Sequence, residues 1–145
     1  MFLLSHLVAG LIIGKISGNY GIALLGSFII DLDHLFPYFK NRMVFNFRKL
    51  WKAVTTKKDL YKDQRNYLHS IFSWAAISIA LMVFNLSVGL VFSFAYLAHL
   101  FLDALDNADF YPLYPLRYNL KGPIDYLSIK EHLFTLFLIG VLLVI

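Results

Sequence analysis

Residues 20–37 read YGIALLGSFIIDLDHLFP, an apolar run that ends in two carboxylates and an imidazole. The run favours a membrane helix, and Asp31, Asp33 and His34 lie where that helix approaches its end. A charged side chain in or beside a membrane helix is costly, so such residues mark function by default. This stretch therefore predicts one wall of a polar site at a membrane face.

The rest of the chain has the composition of a membrane protein. Of its 145 residues, 59% are hydrophobic and 15% are charged, and the mean hydropathy is +0.67. Soluble domains average roughly 45–50% apolar and about 25% charged residues, so a soluble core of this size could not bury the excess. The chain has no cysteine, which leaves His, Asp and Glu as its strong metal ligands. We expect one integral membrane domain over residues 1–145.

Five apolar segments predict an all-α fold, a multi-pass transmembrane bundle of four to five helices. They cover residues 2–16, 20–36, 69–84, 88–106 and 129–145. The first two are shorter than the about 20 residues that a crossing needs, which a tight antiparallel pair would tolerate. Gly10, Gly14 and Gly18 recur at every fourth position and indicate a close helix contact. The first segment lacks a basic start and a small-residue cleavage site, so we interpret it as a retained helix rather than a signal peptide.

Residues 40–65 form the strongly polar region of the chain. This segment holds nine basic and two acidic residues, a charge of +7 in a chain whose net charge is +4. A basic run beside apolar spans indicates the cytoplasmic side and predicts membrane lipids, including anionic headgroups, as partners. Nucleic-acid binding is the alternative, disfavoured because orientation and lipid headgroups already account for the charge. Aromatic and aliphatic residues interleave with the charges, as is typical of an amphipathic helix on a membrane surface: Phe45, Phe47, Leu50, Trp51 and Val54.

Counting crossings from a cytoplasmic basic segment places the polar side chains of every helix at one membrane face. All five histidines fall at this end: His6, His34, His69, His99 and His132. His99 and Asp103 are four residues apart and share a helix face, and Asp106 lies on nearly the same stripe. Scattered core histidines would not be expected to choose one face. The sequence therefore predicts a cytoplasmic-facing site shared by at least four helices.

Imidazoles and carboxylates gathered in this way are typical ligands of a divalent metal ion. The predicted metal ligands are His6, Asp33, His34, His69, His99 and Asp103. They exceed the needs of one four-coordinate ion, so a two-ion site stays open. On a regular helix Asp33 points away from Asp31, so it serves a second ion or the helix unwinds there. Asp31 and Asp106 are predicted as a general base or as partners that orient an imidazole, and Arg65 as a contact for phosphate or an anionic headgroup.

Plainer roles stay open for several of these residues. His132 is also explained as a solvated side chain at a helix end, and Ser70 as a helix cap. Asp33 and Asp103 are also explained as ion-pair partners of Arg65 or Arg117.

The order of the motifs resembles a known family. An early Ser-His is followed by Asp-x-Asp-His at a helix end, then Arg-x-x-x-His-Ser, Ala-His-x-x-x-Asp and Pro-Leu-Tyr-Pro-Leu. This order is similar to the membrane-bound metal-dependent hydrolases of the LexA-binding, inner-membrane-associated type and to archaeal relatives. The matching residues are His6, Asp31, Asp33, His34, Arg65, His69, Ser70, His99, Asp103 and 112–115. Three positions depart from the family pattern: Ile30 stands where the family has Pro, Gln64 where it has His, and Asn66 where it has Gly.

The resemblance implies a multi-pass protein that uses a divalent metal ion to hydrolyse an ester. The expected ion is Zn²⁺, and Mn²⁺ and Mg²⁺ are the alternatives. A distant likeness to zinc-dependent phospholipase C implies a phosphoester or an amphiphilic, lipid-like substrate. A bound metal would lower the pKa of a water to about 7, and the hydroxide would attack the ester.

The alternative function is a non-catalytic scaffold or partner-binding module with a structural metal or polar cluster, which the loss of a family His at Gln64 favours. An ion transporter is disfavoured because polar groups at one end of the bundle leave no path at the midplane. A homo-oligomer is compatible with the sequence.

Overall fold

The structure is a computed structural model that describes residues 3–55 and 65–145. Seven α-helices form its described part: α1 (Leu3–Ser17), α2 (Tyr20–Phe28), α3 (Leu32–Lys40), α4 (Phe47–Thr55), α5 (Ile71–Phe84), α6 (Leu86–Leu105) and α7 (Ile129–Val144). Over the same residues the chain forms two isolated β-bridges and no strand. The predicted all-α fold is confirmed. The charged link predicted at residues 57–63 lies outside the described residues.

Helices α2 and α3 form one continuous span joined by a 3-10 turn, Ile29–Asp31. The combined span, Tyr20–Lys40, has 21 residues and is apolar enough to cross a membrane. The predicted end at residue 36 was wrong, because the helix continues through Pro37. It ends where the backbone N–H and the side-chain amide of Asn41 both donate to the Pro37 carbonyl, at 3.0 and 2.8 Å.

Side-chain caps set the starts of α5 and α6. The Ser70 hydroxyl accepts from the backbone N–H of Phe72 at 3.2 Å, so α5 starts at Ile71 and not at residue 69. The Asn85 side-chain oxygen accepts from the N–H of Val88 at 3.1 Å, so α6 starts at Leu86, two residues earlier than predicted. Each cap satisfies a backbone N–H that would otherwise lack a partner in the first helical turn.

Helix α6 is the centre of the bundle and packs against α1, α2 and α5, while α1 also packs against α2 and α7. Glycines permit the closest contacts. A Cβ at Gly26 would lie 2.7 Å from the carbonyl oxygen of Phe92 on α6, and a Cβ at Gly10 would lie 2.6 Å from the Ser27 hydroxyl on α2. Gly18, the third glycine of the row, has a φ of +70° in the turn between α1 and α2.

The outer surface of the bundle is apolar. Large hydrophobic side chains are exposed along α5, α6 and α7, among them Phe72, Val83, Phe94, Phe101 and Phe137. The span Leu86–Leu105 also meets the length and composition of a membrane crossing, and Leu3–Ser17 and Ile71–Phe84 are shorter apolar helices. Exposed hydrophobic side chains on several neighbouring helices are the surface expected of a protein surrounded by lipid.

A loop of residues 106–128 folds back over one end of the bundle. The N–H of Gly122 donates to the Asp106 carbonyl at 2.8 Å, and a Cβ at Gly122 would lie 2.1 Å from the Leu105 backbone, so only glycine fits there. The loop also reaches the start of α5, where the N–H of Ile71 donates to the Pro112 carbonyl at 2.8 Å. The ends of α6 and α5 are thereby held together at the level of the polar residues.

Candidate metal centre

The acidic motif reaches two different neighbours. Asp31 Oδ1 lies 3.5 Å from His34 Nε2 and 3.7 Å from His99 Nε2. Asp33 Oδ2 accepts from the backbone N–H groups of Leu68 and His69 at 2.7 and 3.2 Å. The predicted unwinding of the helix at Asp33 was wrong, because the residues just before it, Ile29–Asp31, form a 3-10 turn, which is tighter than an α-helix.

Two imidazoles are fixed through their Nδ1 atoms. His99 Nδ1 lies 2.6 Å from the Ser27 carbonyl oxygen, and His69 Nδ1 lies 3.1 Å from Asp33 Oδ2. A carbonyl or a carboxylate only accepts, so each Nδ1 carries the proton and a neutral ring leaves its lone pair on Nε2. Burial lowers the pKa of His69 to about 4 despite the opposing effect of Asp33, so its ring is neutral at pH 7. This is the orientation that outer partners impose on metal-binding histidines.

The two Nε2 atoms face the same carboxylate oxygen. Asp103 Oδ2 lies 3.3 Å from His69 Nε2 and 3.4 Å from His99 Nε2. Within the described residues neither Nε2 makes a hydrogen bond. Imidazole lone pairs and a carboxylate that face each other repel unless a proton or a metal ion lies between them. Donors on a tetrahedral ion with bonds of about 2.0–2.1 Å are separated by about 3.3–3.4 Å, which matches these distances.

His6 adds a fourth imidazole to the cluster. Its ring stacks on that of His99 with centroids 3.8 Å apart, and its Nε2 lies 3.5 Å from Asp103 Oδ1. Among residues 3–55 and 65–145, two donor groups have ligand atoms within 4.8 Å of one another: His6, His99 and Asp103; and Asp31, His69 and His99. Both groups need His99, whose Nδ1 is committed to Ser27. The geometry therefore favours one ion over two.

Arg65 contributes a positive charge to the cluster. Its Nη2 lies 3.0 Å from Asp106 Oδ2 and 3.3 Å from Asp103 Oδ1. Burial lowers the pKa of Arg65, but Asp103 and Asp106 more than offset this effect and raise it, so the guanidinium is charged. Asp106 Oδ1 also accepts from the N–H of Ala108 at 3.3 Å. Asp106 thus links Arg65 to the loop that covers this end of the bundle.

The carboxylates of the cluster are compensated in part by Arg65. Within the described residues, its guanidinium lies among the side chains of Asp31, Asp33, Asp103 and Asp106. Buried carboxylates are costly unless a cation compensates them, and Arg65 does so for Asp103 and Asp106.

The profile of the family described as YdjM inner membrane protein matches residues 1–145. The chain belongs to the YdjM inner membrane protein family. No curated protein and no solved structure matches it. Family membership and the apolar helices confirm the predicted membrane localisation and the membrane part of the predicted resemblance. Metal dependence and hydrolysis are not part of the family description, so both remain predictions.

In this YdjM-family chain the residues predicted as metal ligands and as catalytic groups lie together. The cluster contains all nine: His6, Asp31, Asp33, His34, Arg65, His69, His99, Asp103 and Asp106. His132 lies exposed on α7, outside the cluster, and Ser70 is a helix cap. Asp103 pairs with Arg65, one of the two predicted partners. The departure at Gln64 lies outside the described residues.

Backbone groups and one tyrosine complete the site without a signal in the sequence pattern. They are the Ser27 carbonyl, the N–H groups of Leu68 and His69, and the Tyr96 hydroxyl, which donates to the Leu68 carbonyl. Only proximity in the fold identifies them, because any residue type offers the same backbone groups.

The cluster is open on one side. The side chains of His69, His99 and Asp103 are at most 1% exposed, whereas those of Asp31 and His34 are 26% and 21% exposed. A ligand from outside would therefore reach the centre past the acidic motif.

Proposed function

We propose that Asp31, His69, His99 and Asp103 bind one divalent metal ion, and that the protein is a membrane-embedded metal-dependent hydrolase. The observation that carries the proposal is the pair of Nε2 lone pairs facing Asp103 Oδ2 at 3.3 and 3.4 Å. Both rings are already oriented through their Nδ1 atoms, that of His99 by the Ser27 carbonyl and that of His69 by the Asp33 carboxylate. A cation between the three atoms replaces their mutual repulsion by coordination.

Zinc is the ion that these donors suit best. Two imidazole nitrogens with carboxylate oxygens and tetrahedral spacing are typical of Zn²⁺, while Mg²⁺ and Mn²⁺ favour oxygen ligands in octahedral geometry. Neighbouring donors in such an octahedron are about 3.0 Å apart, for bonds of about 2.1 Å. The donors His69 Nε2 and Asp103 Oδ2 are 3.3 Å apart, and His99 Nε2 and Asp103 Oδ2 are 3.4 Å apart.

The sequence predicts Asp33 as a metal ligand and Asp31 as a general base or an orienting partner. The contacts support the opposite assignment. Asp31 faces His99 Nε2 and lies on the open side of the cluster, as a ligand would. Asp33 Oδ2 already accepts from two N–H groups and from His69 Nδ1, as an orienting partner would. We therefore propose Asp31 as a ligand and Asp33 as the residue that fixes His69.

The open side supplies what hydrolysis needs. When bound, a divalent ion lowers the pKa of a water and provides the nucleophile. His34, beside Asp31 on the exposed side, is placed to take up a proton. Arg65 Nη1 is buried and makes no hydrogen bond in the described part of the chain, so it is available to an anionic substrate oxygen. This supports a phosphoester, and the apolar helices around the site support an amphiphilic one.

A structural metal in a non-catalytic scaffold is the second candidate. It is favoured by the near-complete burial of three donors, His69, His99 and Asp103. Structural zinc sites are closed by protein ligands, whereas catalytic sites keep one position open. Turnover of a substrate separates the two candidates.

Metal content of the full chain, purified in detergent after metal-replete growth, tests the proposal. We expect about one zinc per chain, lost in His99→Ala and Asp103→Asn and retained in the matched control His132→Ala. Hydrolysis of a panel of phosphoesters and carboxylic esters by the wild type, absent in the zinc-free variants, supports the hydrolase. Stoichiometric zinc without turnover supports the structural role, and wild-type protein without stoichiometric metal refutes both.

The cytoplasmic orientation of the site is a proposal that rests on the basic segment. A cysteine introduced at Asn46 in this cysteine-free chain can be labelled from one side of the membrane only. Labelling from outside intact cells would overturn the orientation without affecting the metal site.

A further inference from the structure

Helix α4 segregates its aromatic and basic residues. Successive helical residues are about 100° apart, so Phe47, Leu50 and Trp51 fall within an arc of about 100°. The basic residues occupy a separate arc of similar width: Arg48, Lys49 and Lys52. The Phe47 and Trp51 rings stack with centroids 6.1 Å apart, which makes one continuous aromatic surface.

This aromatic surface is exposed. Phe45 is 83% exposed, Phe47 74% and Trp51 61%. Helices α1, α2, α5, α6 and α7 pack against one another, and within the described residues no helix packs extensively on α4. An exposed aromatic surface of this kind marks an interaction site.

The connection to α3 fixes where α4 lies. Met43, in the segment that connects the two helices, is completely buried, and its N–H donates to the Tyr38 carbonyl at 2.8 Å. Asn46 caps α4 by accepting from the N–H of Lys49 at 3.1 Å. The aromatic surface is therefore held at the end of α3, the helix that carries Asp33 and His34.

We propose that α4 binds the surface of an anionic lipid bilayer, with Phe45, Phe47 and Trp51 among the acyl chains and the basic residues among the headgroups. The argument is charge complementarity at a fixed place: α4 begins a few residues after a membrane span, where a bilayer surface lies. A helix in the interface buries an apolar face while lysine and arginine extend to the headgroups. This inference does not depend on the metal or on hydrolysis.

Spin labels on single cysteines test the inference, because the chain has no cysteine of its own. Leu50→Cys places the label on the aromatic side and Arg48→Cys on the basic side of the same helix. The full chain is reconstituted in nanodiscs of phosphatidylcholine alone or with phosphatidylglycerol. We expect the label at position 50 to be accessible to oxygen and shielded from a water-soluble nickel complex, and the label at position 48 to show the reverse.

Anionic lipid should shift the equilibrium of α4 towards the membrane-bound state. Each basic residue should raise this equilibrium constant about fivefold. The variant R48Q/K49Q/K52Q should lose this lipid dependence, and Lys130→Gln, which removes an exposed basic residue on α7, should keep it. Equal water accessibility of both labels in both lipids would overturn the inference and leave α4 to a soluble partner. Spin–spin coupling between chains at position 50 would also overturn it, in favour of a second copy. Zinc content, measured on the same samples, reports separately on the metal site.

Discussion

Replacing Asp33 by asparagine separates an orienting role from a ligand role. Asp33 Oδ2 accepts from His69 Nδ1 at 3.1 Å and from the N–H groups of Leu68 and His69. Asparagine keeps the size of the side chain and one oxygen acceptor but removes the charge. Loss of an outer partner of a metal-binding histidine costs about 10–100-fold in metal affinity, which corresponds to about 1.4–2.7 kcal/mol.

The assay is zinc titration of the detergent-solubilised protein against a chromophoric chelator, with metal content measured in parallel. We expect Asp33→Asn to bind one zinc per chain with 10–100-fold weaker affinity. Asp31→Asn removes a proposed ligand and should lose stoichiometric zinc. Because the asparagine also weakens charge-assisted hydrogen bonds to two backbone N–H groups, metal-free Asp33→Asn should unfold more easily, by about 1–3 kcal/mol.

The opposite ranking would refute this reasoning. If Asp33→Asn loses its zinc while Asp31→Asn keeps wild-type affinity, Asp33 is the ligand and the sequence-based assignment is right. His132→Ala, on the exposed part of α7, should match the wild type in both measurements.

Three further predictions follow from packing, capping and metal loading. Gly26→Val drives a side chain against the Phe92 carbonyl, 2.7 Å from the first added atom, and should lower the free energy of unfolding by about 1–3 kcal/mol. Gly21→Ala is the control, because the added Cβ meets no atom within 4 Å and should cause no such loss. Equal denaturation curves for the two variants would contradict the packing argument. Ser70→Ala should cost about 1 kcal/mol of stability through the lost helix cap while zinc content stays unchanged; loss of zinc would assign Ser70 to the site. When free zinc is held at a hundred times its Kd, removing it with a chelator should lower the free energy of unfolding by about 2.7 kcal/mol. A melting temperature that does not change on addition of the chelator would argue against a bound ion.

Hydropathy predicted the helices because a membrane helix must be apolar over most of its length. It placed the end of the second segment too early, since Pro37 is a strong signal for a break and the capping by Asn41 is visible only in the fold. The amphipathic helix was predicted within residues 40–65 from alternating aromatic and basic residues, and α4 occupies Phe47–Thr55.

The members of the candidate site were predictable because polar residues are rare in this chain and recur at the same helix ends. Their individual contacts were not. Whether Asp31 or Asp33 faces His99 depends on the turn at Ile29–Asp31, and a local 3-10 turn has no clear sequence signature in an apolar run. The burial of Arg65 against Asp103 and Asp106 likewise depends on how residues 65–70 cross the bundle.

The Ser27 carbonyl connects the end of α2 to the cluster. Ser27 lies in the last turn of α2, just before the 3-10 turn Ile29–Asp31. Its carbonyl accepts a hydrogen bond from His99 Nδ1 at 2.6 Å, so a neutral His99 ring leaves its Nε2 lone pair facing Asp103 and Asp31. The same segment of the chain therefore orients His99 through Ser27 and supplies Asp31 four residues later. A shift of this segment would change the Ser27 and Asp31 contacts of His99 together, whichever ion the site holds.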